Sequence, residues 1–590
     1  MDLKAKNRAA LCDGFFIVGT VLLLLFSLWK ARYGLGAYDE SFYLTIPYRM
    51  CHGDKLFLNE WNLSQLSALL QYPLMKLYLL LNSSCTDGIV LAFRRIYVSV
   101  NFAAGLLAYY RLRKYGAGAV AAVLLYLLYA PYNIMALSYN TIGLLCGFLC
   151  AIFLATAARN SDYVVAGLFF AGLVLCQPLM LAEFAVVYLV LICLSLTLKR
   201  RELLRRLLWF LLGCVILAIP VLVYFVFSVG ISNVIAALPL IMSDPEHDTN
   251  TLLSLYNVCY STSYCFLPNY LLSLPTGIEF HTRPLFAALY FAFIPLWAVV
   301  FLDRGRGKRA ALYLSLSALL CVSIGAVYTV LYLYESLTYT SYSYMNFVLF
   351  PWLFHGVCLF PLLTKPDERR TLVLFYALGF LHMVSFLASN QTGYVFSIAL
   401  LPSCLVSIML SIKYCSSLTR TKGVPVFICT AVSAVLLLFL RANYCFVSPS
   451  VGALDTQCSS GPTAGIFLSS EHAERLEKVV VCVKEKQLRP DKNTLFLAPD
   501  SQFYLCSDTG LAQFSAWMPF YMDSTQARLE AYYALNPDKC PDAILIEKDP
   551  ILFANLIDDL DDDAVPNWAA EHGFSFEEDD VCIFMRKLTD

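Results

Sequence analysis

The chain is a succession of apolar runs, each near the length of a bilayer span, parted by short polar turns. A bilayer core takes about 20 apolar residues per helix, and on that measure the runs predict about 13 spans. They fall near 14–32, 89–110, 117–135, 140–158, 163–181, 183–198, 207–229, 285–302, 310–334, 345–363, 371–388, 394–412 and 424–440. The first runs straight into Trp29-Lys30 with no small-residue cleavage site, so it reads as a span and not as a cleavable signal. Past residue 440 the pattern changes. Residues 470–488 keep a helical period, with an apolar stripe at Leu476, Val479, Val480 and Val483. Short buried strands are expected at 494–498 and 543–547, helices at 527–535 and 551–560, and a hairpin whose arms are 574–576 and 581–585. The expected architecture is a polytopic α-helical membrane protein, residues 1–440, followed by a small α/β domain, residues 441–590.

Charge sharpens this division. Only 14% of the 590 residues are charged and the formal net charge is −1. A soluble globular protein is about a quarter charged. Residues 443–590 carry 25 acidic and 11 basic residues, whereas the first 442 carry 18 acidic and 31 basic ones. With no soluble basic domain, nucleic acid is not an expected partner. The basic residues also orient the chain. Lys4, Lys6 and Arg8 precede the first span, and every second connection is basic, as at Lys199-Arg200-Arg201 and Arg304 to Arg309. Such residues stay in the cytoplasm. The N-terminus is therefore expected to be cytoplasmic and the C-terminal domain extracytoplasmic, in a multi-pass protein of the cell membrane.

Chemistry is then sought in the sizeable outer segments 33–88, 230–284 and 441–590. The first begins Tyr33-Gly34-Leu35-Gly36-Ala37-Tyr38-Asp39-Glu40, so two carboxylates follow the first span at once. Charges at the membrane surface are costly without a partner or a task. Helix capping is the structural alternative for this pair. Glu60 brings a third acid, and Arg49, Lys55, Lys76, Arg94 and Arg95 are the cations near enough in sequence to serve a phosphate. Lys76 reads more readily as a snorkelling anchor, and the Arg94-Arg95 pair equally well as an interfacial one. In the second segment, Asp244, Glu246 and His247 offer oxygen and nitrogen ligands to a divalent ion, although a solvated turn around Pro245 is the simpler reading; Arg283 is a weaker phosphate candidate. Tyr139-Asn140-Thr141, Gln177 and Glu183 lie near outer span ends, and a cavity lined by such groups suits a sugar. The C-terminal segment has no Gly-rich phosphate loop, and its cysteines form no CxxC pair.

One span, an Asp-Glu pair at its outer end, an interfacial loop with Pro73 in its second helix, and then many spans: this order resembles the GT-C superfamily of membrane glycosyltransferases. The nearest in pattern are the protein O-mannosyltransferases and the bacterial lipid A aminoarabinose transferases. The resemblance covers mainly residues 14–230. It implies a catalytic acid in the first outer loop, a sugar donor on a polyprenyl phosphate, and a C-terminal extracytoplasmic domain. The family often has His and Lys near the loop proline; here the stretch is Gln71-Tyr72-Pro73-Leu74-Met75-Lys76.

The expected function is transfer of a sugar, with inversion, from such a donor to a glycan, lipid or protein acceptor of the cell envelope, on the extracytoplasmic face of the bilayer. Asp39 is the expected base, with Glu40 or Glu60 orienting the acceptor or holding a metal. The alternatives are an envelope lipid transporter or flippase, or a non-catalytic membrane assembly protein. A transporter is expected to show mid-span charges and internal repeats, and neither is evident.

Overall fold

A computed structural model describes residues 3–242, 288–303, 308–334, 344–388, 396–418, 424–445, 450–498, 500–516, 524–548, 570–571 and 573–588. Helices are long here because nothing but an intra-helical bond can satisfy a backbone N–H in hydrocarbon. Among the described residues, eight helices are long and apolar enough to cross a membrane. They include α1 (Leu3–Lys30), α4 (Ile89–Leu112), α8 (Met180–Thr197) and α9 (Arg201–Val223). Shorter apolar helices meet other predicted runs: α5 (Ala117–Leu128), α6 (Tyr139–Ala155) and α7 (Asn160–Cys176). Against about 13 expected spans, the described residues hold eight helices of spanning length, with shorter apolar helices at some of the other predicted runs. Pro131 explains one case: α5 stops at Leu128, and the chain turns through Tyr132 and Asn133, both at positive φ. The run 345–363 is likewise broken, into Tyr344–Leu349, Pro351–Val357 and Leu359–Leu362.

Between α1 and α4 lie two shorter helices, α2 (Ala37–Cys51) and α3 (Ala68–Leu81). A further helix, α10 (Ile231–Met242), occupies the start of the segment expected to be a loop. The C-terminal segment forms a five-stranded sheet in the order β4-β3-β5-β7-β6, preceded by the two-stranded β1 (Thr456–Gln457) and β2 (Phe467–Leu468). Here β3 is Asn493–Leu497, β4 Gly510–Leu511, β5 Ala543–Glu547, β6 Phe574–Glu578 and β7 Cys582–Lys587. The β6–β7 hairpin, the helix Ser470–Glu485 and the helix Ser524–Leu535 stand where the pattern predicts them. The predicted helix 551–560 lies outside the described residues.

Every residue of β5 is buried, so both faces of the sheet need cover. One face, through Phe496, Leu545 and Phe584, packs on the apolar stripe of the helix Ser470–Glu485. The other, through Leu495, Ile544, Ile546 and Met585, packs on Trp61 of the first loop, on Ala237 and Ile241 of α10, and on Tyr532. The indole of Trp61 stacks on Phe514 at 5.7 Å and meets Tyr532 edge-on at 5.4 Å. Three pieces of chain that the sequence separates by hundreds of residues therefore share one core.

Candidate functional site

The first loop leaves α1 through a tight passage. Gly34 has φ +71°, and a Cβ there would lie 2.6 Å from the Cβ of Cys445. Its N–H donates to Phe467 O at 2.9 Å, tying the loop to β2. Two residues on, the N–H of Gly36 donates to Glu40 Oε2 at 2.8 Å.

Glu40 is held further by Arg94. Its Oε1 accepts from Arg94 Nε at 2.6 Å and its Oε2 from Nη2 at 2.6 Å, a bidentate pair. The remaining donors of Arg94 go to Ala31 O at 2.7 Å and Gly34 O at 2.8 Å. Both side chains are buried. These two sequence-derived candidates, one for the acceptor and one for a phosphate, thus bind each other. Their pairing clamps the N-terminus of α2 to the end of α1 and the start of α4.

A second buried network fixes the far end of the loop. Arg49 donates to Asp54 Oδ2 at 2.8 Å, Glu60 Oε2 at 2.7 Å, Asn59 O at 2.7 Å and Gln513 O at 3.1 Å. Glu60 also accepts from the N–H of Ala516 at 3.3 Å, and Lys539 closes on Asp54 at 2.5 Å. Arg49 and Glu60 are thereby brought together as an anchor between loop and sheet. Ser41 adds a contact to Asp500 at 3.1 Å, and the Tyr48 hydroxyl donates to Ser507 O at 3.0 Å.

Asp39 differs from its neighbours. It stands in the first turn of α2, half-buried, and no described residue hydrogen-bonds or ion-pairs with it. Asp39 and Glu40 both lie in the first turn of α2, where an acid suits the helix dipole; Glu40 also accepts from the N–H of Gly36, and Asp39 makes no such bond among the described residues. Burial pushes its carboxyl up to about 6. One turn along α2, the Tyr43 hydroxyl is raised by burial and then by the Asp39, Tyr139 and Tyr132 groups around it. Tyr43 and Tyr139 meet edge-on at 5.8 Å. Asp39 therefore looks onto an aromatic wall built from α2, the Tyr132 turn and α6.

The first turn of α6 is fixed by a capping box in which Ser138 Oγ accepts from the N–H of Thr141 at 3.2 Å. In and beside this turn, the buried Asn140 Oδ1, Gln177 Nε2 and His382 Nε2 lack hydrogen-bond partners among the described residues, as does Glu183 Oε2 on α8. The glycine face of α6 brings the elements together. A Cβ at Gly143 would lie 3.3 Å from Cys176 Cβ and 4.0 Å from His382 Nε2. Such orphaned groups are costly unless a ligand or water meets them.

Of the other candidates, Arg95 and Lys76 are exposed and pair with no acid among the described residues; Lys76 lies 5.8 Å above the Tyr72 ring. Lys55 is half-exposed. Asp244, His247 and Arg283 lie outside the described residues. Sequence reasoning passed over Lys30, Arg441 and His382. Lys30 is buried with Nζ 2.6 Å from Cys445 Sγ, and Arg441 donates to Leu127 O at 2.8 Å and to Leu128 O. Basic residues at span ends are the ordinary topogenic signal, which masks any other role. Among the described residues the one trio able to offer ligands to a metal ion is Cys482, Asp579 and Cys582, in the C-terminal sheet region.

The fold is that of a multi-pass helical membrane protein with a small C-terminal α/β sheet, and its first loop carries a half-buried carboxylate, Asp39, that is unpaired among the described residues. No family profile and no curated protein sequence matches the chain. Among solved structures it is similar to ArnT from Cupriavidus metallidurans bound to undecaprenyl phosphate, at 14% identity over 97% of each chain and a TM-score of 0.33.

Proposed function

We propose that this protein is a membrane glycosyltransferase of GT-C type that moves a sugar from a polyprenyl-phosphate donor to an envelope acceptor, with Asp39 as general base. The observation that carries this reading is Asp39 itself: a half-buried carboxylate with no partner among the described residues, raised to about 6, in the first turn of the helix that follows the first span. Its neighbours Glu40, Glu60, Arg49 and Arg94 are spent on holding the loop. A base must be free to accept a proton and have a pKa near the working pH, and Asp39 meets both conditions.

In the reaction, an acceptor hydroxyl gives its proton to Asp39 while its oxygen attacks the anomeric carbon. The bond from that carbon to the phosphate oxygen breaks, and the lipid phosphate leaves. Single displacement inverts the anomeric centre. Arg95 and Lys76, free of acid partners, are the cations available to the departing phosphate. The Asn140, Gln177 and His382 atoms, unpartnered among the described residues, suit the hydroxyls of a sugar. The orientation expected from the basic loops places this chemistry on the extracytoplasmic side.

The test is transfer of labelled sugar from a polyprenyl-phosphate donor in proteoliposomes. Asp39→Asn keeps the shape and loses the base, so turnover should fall by about 10²–10⁴ with donor binding retained. Undiminished transfer by Asp39→Asn removes the assignment.

A further inference from the structure

We propose that Cys482 and Cys582 form a disulfide bond that staples the helix Ser470–Glu485 to β7. Cys482 lies on the buried face of that helix and Cys582 opens β7, opposite Glu547 of β5. The two are 100 residues apart in sequence, yet their sulfurs approach to 2.6 Å. Both side chains are buried, at 4% and 0% exposure.

The geometry discriminates between a bond and a metal. Asp579, in the β6–β7 turn, sets its Oδ2 3.3 Å from Cys482 Sγ and 3.4 Å from Cys582 Sγ, which on composition alone would suit a zinc ion. Two thiolates on one tetrahedral zinc, each about 2.3 Å from it, stand about 3.8 Å apart. A disulfide holds its sulfurs at about 2.05 Å. A separation of 2.6 Å lies far inside the metal spacing and close to the covalent one.

Asp579 fixes the turn beside the two sulfurs. Its Oδ1 accepts from the N–H groups of Val581 at 3.0 Å and Cys582 at 2.9 Å, which aims Oδ2 at the sulfurs. As the domain folds, the Cys482 thiol loses its proton to water, and the thiolate attacks a sulfur of an external disulfide. One thiol leaves. Cys582 then attacks Cys482 in the mixed disulfide, passes its own proton to the second leaving thiol, and the S–S bond closes. Two cysteine thiols become one disulfide and the external disulfide becomes two thiols. Such a bond persists in an oxidising compartment. The inference therefore bears on which side of the membrane the sheet lies, and it stands whether or not the chain transfers sugar.

The experiment uses full-length protein in detergent, isolated from native membranes with N-ethylmaleimide present throughout. The chain is denatured without reductant, digested and analysed by peptide mass. The expected product is a linked pair of peptides containing residues 482 and 582, lighter by two hydrogen atoms than the separate peptides and lost on reduction. Cys582→Ser should raise maleimide labelling of Cys482 at least about tenfold. Quantitative labelling of both cysteines in unreduced wild-type protein overturns the proposal. So does labelling that appears only after a chelator removes one zinc per chain, which would make the trio a metal site. The wild-type peptide map decides the matter even if the variant fails to fold.

Discussion

Asp39→Asn has a second expected consequence, in stability, which is independent of any substrate. Burial raises the folded-state pKa of Asp39 from 3.8 to about 6. A carboxyl raised on folding binds its proton more tightly in the folded chain than in the unfolded one. Between about pH 4 and pH 6 the folded state therefore holds more protons, and stability falls as the pH rises through that window. Each pH unit is worth about 1.4 kcal/mol, which sets an upper bound of about 3 kcal/mol lost by neutrality. Partial exposure screens the site, so about 1–2 kcal/mol is the working figure. Asn has the same shape and no charge to desolvate. Wild type and Asp39→Asn should melt together at pH 4, and at pH 7 the variant should be the more stable by that amount. The assay is thermal unfolding in detergent by intrinsic tryptophan fluorescence, at the two pH values. Identical curves at pH 7, or a variant that melts earlier, would refute the claim that Asp39 is held unpaired against its solvation. Transfer should show the matching profile, rising with pH to a plateau above about 6.

Glu40→Gln leaves Arg94 buried near Lys30 and Arg441 without an acid, so it should cost about 3–5 kcal/mol, seen as lost detergent-solubilised monomer; in a double-mutant cycle with Arg94→Met most of that loss should return. Arg95→Lys keeps its charge and loses the fork, so donor affinity should weaken several-fold with the melting temperature unchanged, as read by donor titration. Trp61→Ala empties the core shared by loop and sheet and should cost about 3–5 kcal/mol, checked by proteolytic release of the C-terminal segment. Gly34→Ala meets both a positive φ and the Cys445 side chain, and should abolish the folded protein in size-exclusion chromatography.

The helices were legible because hydrocarbon imposes one length and one polarity on anything that crosses it. The same rule hid α10: Ile231–Met242 is apolar but too short to span, and 230–284 read as loop. In the C-terminal segment, periods of 2 and 3.6 marked β3, β5, the hairpin and both longer helices, whereas the two-residue β4 carries no period at all. The acids and bases of the first loop were visible as residue types but not as pairs. Glu40 finds Arg94 across 54 positions and Arg49 finds Gln513 across 464, and pairing at such a distance leaves no local pattern. Asp39 stood out in sequence as half of an acid pair; the structure separates the two, Glu40 clamped by Arg94 and Asp39 unpaired among the described residues.

The contact between Trp61 and Phe514, joined also by the Trp61 N–H donating to Phe514 O at 2.7 Å, has a consequence in time. The first loop is made near the start of synthesis and its cover near the end. With about 5–20 residues added per second, some 450 residues of chain impose a wait of roughly 20–90 s. Throughout it, Arg49, Glu60 and the indole of Trp61 lack the partners that the sheet will bring, while helix after helix enters the bilayer. The nascent molecule thus carries an open apolar and charged face until its last strands arrive. A chain stopped short of Phe514 would keep that face open, and it is on such unfinished copies that proteolysis and chaperones act.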